Sequence, residues 1–384
     1  MKLDALIFPH NIGIAHVMRS YLVAKELQKL GYSVKLSYSG EYVDMINDSI
    51  RIDGIFEDYN KRDYEESLLN SQRKIIKFPF GNRGRLETIV NNEILLLSEI
   101  KPRIVIGDTR IPLFVSSKIR SIPYVSITNG NLTPYYRTFD KESQKIVEPY
   151  NAVLEKFSDK RRINNFYEIF IGDLNLVADL PEFMPLRFIP KNMKYVGPIL
   201  WSYESMPHWI KEIKKKKFEG KKFAYVSMGS TGDPLLFETI FRGLEKVGFG
   251  MVASLGRLKD KLEFTDENLY VTDFISTEIM NYCEIVICHG GNSTIYLSLK
   301  YGLPLIGIPI NPDQIDNMNR TIELKLGVGL YPDCLESDDI AKSIEFMSNS
   351  DYKSNVEMFS RKLIDIKGEE IAANLIGEYI SSLK

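Results

Sequence analysis

This 384-residue chain has no run of about 18–20 apolar residues, so a membrane-spanning helix is not expected. Cysteine is scarce. Cys283, Cys288 and Cys334 are odd in number and match no zinc spacing, which argues against a disulfide framework and a zinc site and leaves reduced, mostly buried thiols. The formal net charge is only −2, so no global field favours nucleic acid, and no nucleic-acid partner is expected. No Asp-x-Asp motif is present, so no required metal is expected. The opening MKLDALIFPHN is too short and too soon interrupted for a signal peptide and reads as a first strand, giving the cytoplasm as the expected compartment.

What is present is an ordinary globular composition, 44% apolar and 26% charged, long enough for two cores. Short apolar runs alternate with amphipathic stretches. Leu3–Phe8 reads as a strand, Val17–Leu30 as a helix closed by Gly31, and Ser33–Tyr38, Ile104–Gly107 and Pro123–Thr128 as further strands. The pattern restarts at Phe223–Met228, with a helix around Pro234–Val247. Strands follow at Gly250–Leu255, Leu269–Thr272 and Ile285–Cys288, then a helix at Ser293–Tyr301 and a strand at Leu305–Ile308. Strand–helix alternation with short connections predicts α/β architecture with parallel sheets. We read residues 1–198 as the first domain, the lysine-dense 199–219 as a linker, and 220–365 as the second domain. Residues 366–384 form a C-terminal helix that can return to the first domain. The run Lys214–Lys217 suits a solvated face or a basic spot near anionic lipid or substrate.

The most informative stretch is IVICHGGNSTIYLSLKYGLPLIGIPINPDQIDN from Ile285. A buried strand ends at Cys288; His289, Gly290 and Gly291 follow; Asn292, Ser293 and Thr294 open a helix. Glycines let a ligand approach the backbone, and a helix N-terminus offers free N–H groups to phosphate oxygens. The plain alternative is a tight turn with no ligand. Further on, Pro309 ends the next strand and Asp313-Gln314 stands at its carboxyl end, where open α/β sheets bind ligands. A carboxylate beside a carboxamide is suited to reading vicinal hydroxyls. A phosphate loop and a hydroxyl-reading loop on one sheet edge describe a nucleotide-sugar site.

This stretch resembles the donor-binding signature of the inverting UDP-sugar-dependent glycosyltransferases, the group of UDP-glucuronosyltransferases and plant and macrolide glycosyltransferases. His289, Gly291, Thr294, Gly302, Pro304, Pro309, Asp313, Gln314 and Asn317 stand in matching places. The resemblance implies a GT-B architecture, two Rossmann-like domains whose parallel sheets face each other across a cleft that holds the active site. It implies that His289, Thr294 and the glycine backbone hold the diphosphate and that Asp313 and Gln314 hold the sugar. Two departures stand out. Leu297 occupies the place of the family's ribose-binding glutamate, so a deoxyribose donor or a repositioned ribose would fit. Ser276-Thr277 replace a Pro-Gln pair, although Phe274 can stack on the base and Ile275 can read its edge through its backbone. A core role for Phe274 fits equally.

The first loop, HNIGIAHVMRSYLVAKELQKLGYSV, is similar to the family's first βα loop, with Arg19 where a proline is usual. His16 falls on the catalytic histidine, and a histidine's ordinary pKa near neutrality suits a general base. Asp108, ending IVIGD, falls on the aspartate that orients it; a simple N-cap is the alternative. KYVGPI at 194–199 and AYVSMGS at 224–230 extend the resemblance, which implies that Gly13 and Ser230 approach the donor.

The implied reaction is metal-independent transfer of a sugar from a nucleoside-diphosphate sugar, expected to be a UDP-sugar, to an acceptor hydroxyl with inversion, His16 acting as base. The donor is a substrate, and no cofactor is implied. The acceptor is a small molecule or a lipid; a peripheral membrane contact and a homodimer are both compatible with the sequence. A nucleotide-sugar epimerase and a donor-binding pseudoenzyme are the competing readings. An acceptor-dependent product excludes the first, and the presence of both His16 and Asp108 argues against the second.

Overall fold

The computed structural model describes residues 3–10, 13–54, 83–136, 141–157, 159, 161–229, 234–255, 264–348 and 351–383. The chain divides into two compact units, Met1–Trp201 with Lys367–Lys384, and Ser202–Ile366.

Among the described residues the first unit holds β1 (Ala5–Pro9), β2 (Val34–Ser37), β3 (Arg51–Ile52), β4 (Ile104–Asp108), β5 (Tyr124–Thr128), β6 (Leu174–Val177) and β7 (Met193–Tyr195). They form one sheet in the order β3-β2-β1-β4-β5-β6-β7, with every pair parallel. Each residue of β1, β4 and β5 is buried, as expected of parallel strands covered on both faces. Chain order reverses between β1 and β4. Their register runs from Ala5 opposite Ile104 to Pro9 opposite Asp108, so both strands end at the same edge.

The second unit holds β8 (Lys222–Ser227), β9 (Phe249–Ser254), β10 (Leu269–Thr272), β11 (Ile285–Cys288), β12 (Leu305–Gly307) and β13 (Gly327–Gly329). These too are parallel, in the order β10-β9-β8-β11-β12-β13. The reversal lies between β8 and β11, where Ser227 pairs with Cys288. The core beneath joins Phe237, Ile240, Phe241 and Leu244 of the helix Pro234–Lys246 to Ile287 and Ile306 of the sheet.

The chain from 199 to 219, read as a linker, divides at Trp201 and Ser202, and its second part carries the helix Ile210–Phe218 with Ile213 buried. Lysines of the 214–217 run have local partners. Lys217 Nζ lies 2.8 Å from Glu284 Oε1, and Lys216 Nζ donates to the Glu267 carbonyl at 2.6 Å. The C-terminal stretch is broken after Leu363. Tyr352–Leu363 lies in the second unit, and Gly368–Ser382 packs in the first against the helix Ile14–Lys29. Among the described residues no helix is long and apolar enough to cross a membrane.

Candidate active site

In an open parallel sheet, the strand order reversal leaves a crevice at the carboxyl ends of the strands. In the first unit β1 and β4 end there. The helix Ile14–Lys29 begins above them, with Gly13 before it at φ 86°, a conformation that favours glycine, and with no side chain capping its first turn. His16 sits in that first turn with its side chain 26% exposed, while Asp108 at the end of β4 is fully buried. Directly after Asp108 the backbone turns through Thr109 at φ 52°, an unfavourable conformation for a β-branched residue. Thr109 N–H donates to the Ile127 carbonyl at 3.0 Å and holds that turn against β5.

His16 Nδ1 lies 2.9 Å from Asp108 Oδ1. With the proton on Nδ1 donated to the carboxylate, Nε2 is left as the acceptor, which is the geometry of a carboxylate-oriented base. Arg19, one helical turn beyond His16, also reaches Asp108. Its Nε donates to Oδ2 at 2.6 Å and its Nη2 to Oδ1. Burial pushes the Asp108 carboxyl up, but Arg19 and then His16 outweigh it and hold the group down at about 2. Arg19 is itself buried, and its Nη1 donates to Asn129 Oδ1 at 3.1 Å. Asp179, fully buried, accepts from the Gly130 N–H at 2.7 Å and from Asn129 Nδ2 at 3.5 Å. His10, at the end of β1, stacks on His16 with ring centroids 5.5 Å apart. Desolvation, then His16 and Arg110, push its pKa down to about 3 against the pull of Asp108, so His10 is a neutral ring.

The second unit repeats the crevice between β8 and β11. Gly290 takes φ 83°, and Gly291 precedes the helix Asn292–Lys300, whose first turn carries no side-chain cap and no acidic residue. A helix start of this kind can receive an anion through its first N–H groups. The His289 ring lies between two glycines. A Cβ on Gly229 would stand 2.7 Å from its Cε1, and one on Gly291 2.6 Å from its Nε2. Burial pushes the His289 pKa down, against a backbone hydrogen bond with Ser227 and the Asp313 carboxylate. His289 Nδ1 is buried without a hydrogen-bond partner among the described residues.

Asp313 and Gln314 begin the helix Pro312–Glu323, Asp313 exposed and Gln314 buried. Gln314 Oε1 accepts from the N–H groups of Ile310 at 2.9 Å and Asn311 at 3.2 Å, so it closes a capping box. Asn317 Nδ2 donates to the Gly290 carbonyl at 3.0 Å, tying this helix to the glycine turn. Phe274 is half-buried against Tyr203, with ring centroids 6.0 Å apart, and Ile275 is buried. Ser276 caps the short helix Thr277–Tyr282, and Thr277 Oγ1 donates to Ser202 Oγ at 3.0 Å. Leu297 is half-buried on the helix Asn292–Lys300. Ser230 lies outside the described residues. No three His, Cys, Asp or Glu side chains converge as a metal site among the described residues. Sequence reasoning missed His10, Asn129 and Asp179; the available signal was Arg19, a charged side chain three residues after His16 on a helix with a buried face.

Comparison with known proteins agrees with this fold. Residues 190–366 match the family model of UDP-glucoronosyl and UDP-glucosyl transferases. A PGL/p-HBAD biosynthesis rhamnosyltransferase of Mycobacterium bovis (strain BCG / Pasteur 1173P2) is 26% identical, over 89% of this chain and 80% of the relative. The crystal structure of CalG4, the calicheamicin glycosyltransferase, matches with a TM-score of 0.73 and 20% identity, covering 99% of each chain. The spinosyn rhamnosyltransferase SpnG complexed with thymidine diphosphate matches with a TM-score of 0.72 and 15% identity, over 98% of this chain and 100% of that one. The two sheets and these matches together give the class, a nucleotide-sugar-dependent glycosyltransferase of GT-B type. Within it, the chain is related to the UDP-glucuronosyl and UDP-glucosyl transferases and to the mycobacterial rhamnosyltransferases.

Proposed function

We propose that the protein transfers a sugar from a pyrimidine nucleoside-diphosphate sugar to an acceptor hydroxyl with inversion, using His16 as general base. The observation that carries this reading is the 2.9 Å contact of His16 Nδ1 with a buried, ionised Asp108, which leaves Nε2 to accept a proton. The acceptor oxygen attacks the anomeric carbon on the face opposite the diphosphate. A carbon–oxygen bond forms, the bond to the β-phosphate oxygen breaks with its electron pair, and the hydroxyl proton passes to His16. The negative charge that builds on the diphosphate is met by the N–H groups of Asn292, Ser293 and Thr294 and by His289, with Gly13 and Ser230 as further donor contacts. Asp313 and Gln314 read the sugar hydroxyls, Asp313 through its carboxylate and Gln314 through its amide nitrogen. Phe274 and Ile275 hold the base.

The names of the mycobacterial and spinosyn relatives give rhamnose as the sugar to test first, and the SpnG complex gives thymidine diphosphate as a nucleotide. Leu297 favours the same nucleotide, because a deoxyribose has no 2′-hydroxyl to leave unpaired. Calorimetric titration with thymidine and uridine diphosphates, without and with magnesium, paired with transfer assays of His16→Ala, tests the proposal. The expected outcome is metal-independent binding, with thymidine diphosphate at least as tight. His16→Ala should bind the nucleotide as the wild type does while transfer falls about 10²-fold or more. Equal loss of nucleotide binding in the variant would count against His16 as base.

A further inference from the structure

The carboxylate behind His16 is shared. In a simple histidine–carboxylate pair the carboxylate's charge serves the imidazolium alone. Here Asp108 Oδ1 accepts from His16 Nδ1 at 2.9 Å and also from Arg19 Nη2, while Oδ2 accepts from Arg19 Nε at 2.6 Å. Ser20 Oγ at 3.5 Å from Oδ2 and Thr109 Oγ1 at 3.4 Å from Oδ1 complete its surroundings. The guanidinium is fixed from its other side by Asn129, which Asp179 holds in turn. Arg19 Nη2 also stands 3.3 Å from His16 Nδ1, so an imidazolium there has a cation as its neighbour.

We propose that Arg19 is a positioning residue for His16: its guanidinium clamps Asp108 in the orientation that receives Nδ1–H and weakens the carboxylate's hold on a protonated ring. This inference rests on the reading of His16 as base. The charges that face the ring decide the sign. Arg19 contributes one positive charge and Asp108 one negative charge, while Asp179 acts on Arg19 and Asn129. His10 is a neutral stacked ring, and Arg110 beyond it is paired with Glu93 at 3.2 Å. Removing Arg19 leaves the buried Asp108 carboxylate beside His16 without its cation, so a proton binds there more tightly and the base is occupied at a higher pH. A clamped carboxylate also costs no reorientation when the acceptor proton arrives.

With only four histidines in the chain, the ring resonances of isotopically labelled protein can be assigned by single substitutions and followed by NMR across pH. Arg19→Met should move the His16 titration midpoint upward by about one unit or more, together with the acidic limb of the transfer pH profile. Arg19→Lys keeps the charge and should restore most of the midpoint while losing the two-point clamp. Arg19→Gln, more tolerant of burial than a hydrophobe among polar neighbours, should repeat the upward shift and carries the test if Arg19→Met fails to fold. An unmoved His16 midpoint in folded Arg19→Met or Arg19→Gln would overturn the proposal and leave Arg19 a merely structural ion pair. Failure of the base reading itself gives a different result, a His16→Ala variant that still transfers sugar, whatever the Arg19 variants do to the titration.

Discussion

At the scale of single residues, the second unit's crevice is defined by what is missing from two of its positions. His289 occupies the space that side chains on Gly229 and Gly291 would fill. The two glycines differ in how they achieve this. Gly229 takes φ 66° and would be strained by any Cβ, whereas Gly291 at φ −66° could be an alanine as far as its backbone is concerned. Gly291→Ala is therefore a purely steric test. Its methyl would stand 2.6 Å from His289 Nε2, and the ring would have to swing out of place. Overpacking of this kind costs about 1–3 kcal/mol. On the proposed function, the displaced ring no longer meets the diphosphate, and donor nucleotide affinity should fall about tenfold or more, close to 1.4 kcal/mol for each tenfold. Titration calorimetry on protein with wild-type circular dichroism measures it. Undiminished affinity would mean that His289 does not serve the donor.

Among the elements, those legible in the sequence were those whose chemistry is local. IVIGD, YVSIT and IVIC are mostly apolar and wholly buried, and runs of that kind have few other uses than central parallel strands. The turn into the helix Asn292–Lys300 was legible because a glycine pair before a helix start has a local physical meaning. Gln314 was only half legible. Its place at the sheet edge follows from spacing, but the capping box that occupies its Oε1 requires the turn geometry of Ile310 and Asn311. Hardest to read was partnership over distance. Nothing near Gly368–Ser382 states that the last helix leaves the second unit and joins the first. It does so through Ile376 and Ile380, both fully buried, and through Gly377, where a Cβ would meet the Tyr32 ring at 2.9 Å. Arg103 Nη2 donates to the Ile380 carbonyl at 2.9 Å and Tyr32 Oη to that of Gly377 at 3.0 Å. Burying the two isoleucines alone contributes on the order of 3–6 kcal/mol. Deleting residues 367–384 should therefore lower the urea midpoint of the first unit sharply, followed by tryptophan and far-ultraviolet signals. A truncated chain with an unchanged midpoint would show that the helix contributes little to that core.

For the whole molecule, the two switch points have a common electrostatic consequence. Each holds a histidine whose pKa is pushed down by desolvation, His10 in the first unit, to about 3, and His289 in the second. A histidine held below its ordinary pKa opposes acid. Between its ordinary 6.5 and its folded value of about 3, the unfolded chain binds a proton at His10 that the folded chain does not. Stability therefore falls as pH drops through that window. Asp108 acts in a separate range. Its carboxyl is held at about 2 against an ordinary 3.8, so its contribution is fully present above 3.8 and is lost only as pH falls toward 2. Acid weakening that begins below 6.5 thus belongs to the histidines, and the part due to His10 can be removed. His10→Gln should give a thermal midpoint that declines less steeply than the wild type's between about pH 7 and pH 5, leaving the decline due to His289 in place. Scanning calorimetry of both proteins across that interval measures the difference. Parallel declines would show that His10 does not resist protonation in the folded chain.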